Sequence, residues 1–125
     1  MEIAVIAHDG MKADMVQFLN NNLEFLRRPE IHIIATGTTG TKAEKLGLTI
    51  TKFLSGPKGG DAQIAARVAE GKTNMVIFFK DPMSSHPHEP DINMLIRICD
   101  VHDVPLATND ATAQLLFEAI ENRLK

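Results

Sequence analysis

Hydrophobic positions along this chain follow two alternating patterns. Short unbroken apolar runs lead through polar loops into stretches where apolar residues recur at helical spacing. The run Ile3–Ala7 has the pattern of a strand buried on both faces. After the loop His8-Asp9-Gly10, the positions of Met15, Phe18, Leu19 and Leu26 predict a helix over Met11–Leu26. Ile31–Ala35 is a second strand. The Thr/Gly cluster Thr36–Thr41 leads into a short helix that stops near Gly47, a C-terminal glycine. Leu48–Phe53 is a weaker third strand, followed by the Gly/Pro loop Ser55–Gly60. Asp61 opens a helix over Ala62–Glu70, closed by Gly71. Met75–Phe79 is the clearest strand of all. The Pro/His-rich loop Asp81–Pro90 follows, and Asp91 is the predicted cap of a helix over Ile92–His102. Val104–Thr108 is the fifth strand and Ala111–Leu124 the last helix.

Strands that alternate with helices call for a parallel sheet covered on both faces. The prediction is therefore an α/β protein with one domain over residues 1–125. Its expected form is a three-layer α/β/α sandwich with a five-stranded parallel sheet, Rossmann-like or flavodoxin-like. A chain of 125 residues suits one domain and buries about two-thirds of its unfolded surface, enough for a core. Right-handed crossovers bring the C-terminal tips of all strands to one edge. Ligands of such sheets bind outside those tips, where the strand order reverses.

Composition narrows the partners. A net charge of −3 and a pI of about 5.9 argue against nucleic acid or an anionic membrane surface, both of which need a basic patch. The single cysteine, Cys99, precludes an intramolecular disulfide and fits a reduced, cytoplasmic setting. No run of about 20 apolar residues is present to span a membrane. Met1–Ala7 lacks a basic n-region and reads as a first strand, not a signal peptide. The absence of Trp and Tyr removes the usual aromatic platform for stacking bases or sugars.

The candidate chemistry sits at the strand tips. The first strand ends in His8-Asp9, with Lys12 one turn on; the second ends in Thr36-Gly37-Thr38-Thr39-Gly40. The third ends in Ser55-Gly56-Pro57-Lys58-Gly59-Gly60-Asp61. The fourth ends in Asp81-Pro82, with His86, His88 and Asp91 further along its loop. The fifth ends in Thr108-Asn109-Asp110. Any one polar tip is an ordinary solvated loop, whereas five together predict a ligand site.

Thr36–Gly40 has the make-up of an anion cradle: glycines admit the backbone, hydroxyls donate, and the following helix offers free N–H groups. A Thr-rich helix cap explains it equally well. It matches neither the Walker A loop nor Gly-x-Gly-x-x-Gly, which points to a ligand smaller than a nucleotide. Asp61, after two glycines and at a helix start, is either an N-cap or a carboxylate held against a ligand, with Gly59 and Gly60 clearing the approach. His8, His86 and His88 raise the question of zinc, but they lack helical His-x-x-x-His spacing and a nearby Cys. Neutral histidines that polarise or move protons fit better. His86 and His88 alternate in their loop and are free to point differently. Lys12 is either a surface lysine or a phosphate partner. Arg97, in an apolar helical run, calls for a carboxylate, a phosphate or a subunit interface.

Several of these segments occur together and in order in one known family. Ala7-His8-Asp9, Ala35–Gly40, Ser55-Gly56-Pro57, Gly59-Gly60-Asp61, Phe78 with Asp81-Pro82, Pro87–Asp91, and Pro105–Asn109 with Thr112-Ala113 resemble methylglyoxal synthase over nearly the whole chain. The resemblance implies conversion of dihydroxyacetone phosphate to methylglyoxal and inorganic phosphate, without metal or organic cofactor. It implies Asp61 as catalytic base and His88 as the histidine that contacts the substrate oxygens. His8, Lys12, Thr36, Gly37, Thr38, Thr39, Ser55 and Gly56 correspond to substrate and phosphate contacts. Asp9, Asp81 and Asp91 correspond to supporting acidic positions, and Arg97 to an arginine near the site. It further implies a homohexamer inhibited by phosphate. Family members commonly carry a longer C-terminal segment, some with an arginine near the phosphate. Here the sequence ends at Lys125, just after the last helix, so no role is assigned to Arg123 and phosphate binding or its regulation is expected to differ.

Two other readings remain distinct. Domains of this kind also serve as allosteric ligand-binding parts of larger enzymes, but such a module can dispense with Asp61 and His88, and both are present here. A receiver or nucleotide-binding domain of flavodoxin type would show an acidic phosphoacceptor or a nucleotide fingerprint, and neither is convincing in this sequence.

Overall fold

The computed structural model describes residues 1–124. Five parallel strands run in the order β3-β2-β1-β4-β5. They are β1 (Glu2–Ala7), β2 (His32–Ala35), β3 (Ile50–Lys52), β4 (Met75–Phe79) and β5 (Leu106–Ala107). The helices are α1 (Lys12–Asn21), α2 (Leu23–Leu26), α3 (Gly37–Glu44), α4 (Gly60–Ala69), α5 (Glu89–Val101) and α6 (Asp110–Arg123). In register, Val5 pairs with Ala35 on one side and with Ile77 on the other, which makes β1 the central strand. Every residue of β1 and β4 is buried, as unbroken apolar runs require of strands covered on both faces.

Side-chain alternation divides the core into two layers. Ile3, Val5, Ile33, Ile77 and Phe79 face Met15, Phe18, Leu19, Phe25, Phe117 and Ile120, from α1, α2 and α6. Ala4, Ile6, Ile34, Val76 and Phe78 face Ile64, Val68, Ile92, Leu95 and Cys99, from α4 and α5. The chain moves outward from β1 to β3 with α1–α3 on the first face. It then crosses to β4 and β5 with α4 and α5 on the second. The sheet reverses between β1 and β4, and right-handed connections on either side put the helices on opposite faces. Among the described residues, no helix is long and apolar enough to cross a membrane.

Four expected elements differ in detail. The helix over Met11–Leu26 is broken at Asn22, whose φ of −120° leaves the helical region and whose Nδ2 donates to the Phe18 carbonyl at 2.7 Å. The third and fifth strands shorten to three and two residues, as edge strands with a neighbour on one side only. The helix expected to be capped by Asp91 begins earlier, with His88 at the N-cap and Pro90 in the first turn, which leaves Asp91 inside it.

Candidate active site

The switch between β1 and β4 opens a cleft of about 410 Å³ beyond the strand tips. Its lining comes from four tips: His8, Asp9 and Lys12 after β1; Thr36 and Thr38 after β2; Ser55, Gly56 and Asp61 after β3; and Asp81, His86 and His88 after β4. The fifth tip does not take part. Asn109 instead caps α6, its Oδ1 accepting from the Thr112 backbone N–H at 2.9 Å.

Asp61 is the feature that departs most from ordinary protein structure. It is 0% exposed, and neither carboxylate oxygen has a hydrogen-bond partner among the described residues. The N-cap position belongs to Gly59, with no side-chain cap, so the capping alternative for Asp61 falls away. A buried carboxylate without donors is costly, and native proteins keep such a group only for a reason. Burial pushes its carboxyl above the usual carboxylate range, the His88 side chain draws it back, and Asp91 on α5 pushes it up further. His88 Nε2 stands 3.7 Å from Asp61 Oδ2, too far for a hydrogen bond but close enough to flank a small molecule.

The glycines beside Asp61 have other tasks than clearing its approach. Gly59 takes φ +107°, and a Cβ there would meet open space; its role is the left-handed turn into α4. A Cβ on Gly60 would lie 1.9 Å from the Leu54 carbonyl oxygen, so that glycine lets α4 pack on the backbone after β3. Gly60→Ala should therefore destabilise the fold by about 3 kcal/mol or more, measured by denaturant unfolding. The glycine that faces the site is Gly56, where a Cβ would lie 3.2 Å from both Asp61 Oδ1 and His88 Nε2. The loop pattern alone does not separate it from the other two, whereas the family resemblance places it among the substrate contacts.

His8 is buried and held neutral. The Asp81 backbone N–H donates to its Nδ1 at 2.9 Å, which puts the ring proton on Nε2. Burial, followed by the nearby His86 and His88 rings, pushes its pKa down to about 4. The unfolded chain takes up this proton near the ordinary value of 6.5, and the folded chain only near 4. Folding stability is thus lost as pH falls through that window. Thermal unfolding of the wild type should fall further between pH 6.5 and 4 than that of His8→Asn, by on the order of 1–2 kcal/mol.

Lys12 is not a solvated surface lysine. Its Nζ donates to Asp9 Oδ1 at 2.6 Å and to the Ala7 carbonyl at 3.2 Å, which holds the charge at the cleft. Asp9 itself is exposed, its carboxyl lowered by Lys12. Asp81 Oδ1 accepts from the Met83 N–H and Oδ2 from Ser84 Oγ, each at 3.0 Å, shaping the loop that follows β4. Thr36 occupies the N-cap of α3, yet its hydroxyl makes no cap hydrogen bond. The first-turn amides of Thr38 and Thr39 have no intrahelical acceptors. The Gly37 N–H, by contrast, is taken by the Leu54 carbonyl at 3.2 Å, and Thr39 is buried away from the cleft.

Two further expected residues also lie outside the cleft lining. Asp91 is half-buried in the first turn of α5 and acts on Asp61 only through its charge. Arg97 is exposed on α5 and makes no ion pair with a carboxylate among the described residues. Arg123 ends α6 at the opposite edge of the sheet, where the Leu124 carbonyl accepts from Arg28 near the start of β1. His86 and His88, whose orientation the sequence left free, both turn inward and line the same cleft. Among the described residues, no three His, Cys, Asp or Glu side chains converge to hold a metal ion.

Comparison with known proteins gives a consistent picture. The family model of the MGS-like domain matches residues 13–108. Methylglyoxal synthase of Carboxydothermus hydrogenoformans is 52% identical over 96% of this chain and 98% of its own length. That of Borreliella burgdorferi is 52% identical over 97% of this chain and 95% of its own. The crystal structure of methylglyoxal synthase from Elizabethkingia anophelis NUHP1 superposes with a TM-score of 0.85 at 39% identity, covering 93% of this chain and 76% of that one.

Proposed function

The chain belongs to the methylglyoxal synthase family, and on that premise we propose that it converts dihydroxyacetone phosphate into methylglyoxal and inorganic phosphate, with Asp61 as the base. The observation that carries this reading is the buried, unpartnered Asp61 carboxylate facing His88 across the cleft. A base that removes a proton beside a ketone must be close, dry and poised above an ordinary carboxylate. A second group must donate to the oxygen on which charge develops. His88 fills that role, and the neutral His8 offers another donor through Nε2.

Asp61 takes a proton from the hydroxymethyl carbon, and the C–H electron pair forms the enediolate. As the hydroxymethyl oxygen gives up its proton and closes to the aldehyde, the enediolate double bond shifts and expels phosphate from the carbon on the other side of the former ketone, whose C–O bond breaks. The resulting enol returns to the ketone by taking a proton at the terminal carbon, giving methylglyoxal. His88 moves protons between the enediol oxygens. Lys12, the Thr36 hydroxyl, the Thr38 amide at the positive end of α3 and Ser55 receive the phosphate. In reaction class this is a carbon–oxygen lyase acting on a phosphate ester.

Family membership supports extending the reading to a single domain over residues 1–125, a homohexamer, inhibition by inorganic phosphate and a cytoplasmic setting. Asp9, Asp81 and Asp91 support the site by orienting Lys12, by shaping the loop and by tuning Asp61. Arg97, exposed in the protomer, is assigned to a neighbouring subunit's surface in that assembly. The test is to supply dihydroxyacetone phosphate with a chelator present and follow methylglyoxal and phosphate together. Both should appear in equal amounts, with His88→Ala slower by about 10²-fold. Absence of product from the wild type would leave a non-catalytic ligand-binding module.

A further inference from the structure

Three imidazoles meet in the cleft, and the chemistry just described uses only two of them. The third, His86, lies with its ring nearly parallel to that of His8, at a centroid distance of 3.7 Å and an interplanar angle of 28°. Its distances to His88 and from His8 to His88 are 5.6 and 5.9 Å, both edge-on, so the stack is confined to the first pair. We propose that His86 is a positioning residue for the reaction: its ring clamps His8 face-on and so fixes the Nε2–H of His8 as a donor to the substrate.

The His8 ring is held from three directions. Phe78, from β4, packs edge-on at 5.1 Å and 78°. The Asp81 backbone N–H ties Nδ1 at 2.9 Å. His86 covers the remaining face. What is left is Nε2, buried and without a partner among the described residues, in a cleft it helps to line. The edge and face restraints come from one segment, since the loop that begins at Asp81 carries His86 five residues on. Asp81 also shapes that loop through Met83 and Ser84. A donor fixed on all sides but one loses little freedom when it meets a developing oxyanion, and small misplacements of such a donor cost rate steeply.

The inference rests on the function proposed above, and two independent measurements separate them. The first is kinetic. His86→Ala should lower kcat about tenfold with a smaller change in KM, whereas His86→Phe, which keeps a flat ring and discards the nitrogens, should stay within about threefold of wild type. In a His8→Ala background, His86→Ala should cost nothing further. Equal loss in the Phe and Ala variants would overturn the proposal by giving the nitrogen itself the task, and multiplying losses of His8 and His86 would overturn it as well. The second needs no substrate: the side-chain 15N spectrum of His8. One sharp Nε2–H tautomer is expected in the wild type and in His86→Phe, and a broadened signal in His86→Ala. An unchanged signal in His86→Ala would overturn the clamp. A wild type that forms no methylglyoxal would remove the proposed function, while the spectrum still decides whether His86 holds His8.

Discussion

Asp61→Asn should lower turnover of dihydroxyacetone phosphate by about 10³-fold or more, retain affinity for a phosphorylated analogue, and melt at a higher temperature than the wild type at neutral pH. The first effect follows from the loss of the proposed proton acceptor; an amide of the same shape cannot take the proton. The second follows because the proposed phosphate contacts, Lys12, Thr36, Thr38 and Ser55, line the cleft independently of the substituted group and are left intact. The third depends on sign. Burial raises the Asp61 carboxyl in the folded state, so folding favours its neutral form. That contribution is present below the ordinary carboxylate value and is lost as pH rises through the raised one. At neutral pH the ionised group opposes folding, and the neutral amide relieves it by about 1 kcal/mol, or roughly 4 °C in a domain of this size. Paired measurements of kcat, analogue affinity and Tm check all three. A variant that is both inactive and less stable would mean that the carboxylate holds the loop together instead of acting on substrate.

Gly56→Ala should lower kcat/KM by about 10²-fold and leave the fold nearly unchanged. The added methyl would lie 3.2 Å from Asp61 Oδ1 and 3.2 Å from His88 Nε2, in the space between the proposed base and electrophile where that mechanism seats the reacting carbon. Both neighbours can give by a few tenths of an ångström, so unfolding in denaturant should shift by less than about 1 kcal/mol. Four residues on, the same substitution at Gly60 meets a backbone carbonyl and is expected to act on stability. Kinetics and denaturation of the two variants should separate cleanly. Gly56→Ala with activity within threefold of wild type would show that the substrate does not pass between the two groups.

Most of the fold was legible because two periodicities were clear. The unbroken runs Ile3–Ala7 and Met75–Phe79 announced the central strands, and the strand–helix alternation announced the parallel sheet. Strand order was not legible, since nothing in the sequence tells β4 to pair with β1 and not with β3. The break at Asn22 is not legible because the apolar positions keep helical spacing across it, while the interruption lies in the Asn22 backbone and its side-chain hydrogen bond to Phe18. In the site, Asp61 and His88 could be named from motifs that resemble a known family. The composition of the loop does not say which glycine faces the site; only the family resemblance singles out Gly56. By composition Gly56, Gly59 and Gly60 are alike, and they differ in what a Cβ would touch. The fifth tip was overcounted for a similar reason: Asn109 has the residue type of a site and serves as a helix cap. For His86 the sequence offers a zinc ligand or a neutral proton carrier but not its stacking on His8, because alternation in a proline-rich loop does not say where a ring will stack.

The central claim is that Asp61 removes a proton from the hydroxymethyl carbon and that phosphate then leaves. It is tested most directly by supplying dihydroxyacetone phosphate that carries two deuterium atoms on that carbon and reading the label in the methylglyoxal formed. The wild type should give product with one deuterium, on the aldehyde carbon, and none in the methyl group, with an equal amount of phosphate; Asp61→Asn should form none above the uncatalysed background. Product that keeps both deuterium atoms, or labelled methylglyoxal formed by Asp61→Asn at the wild-type rate, would contradict the account.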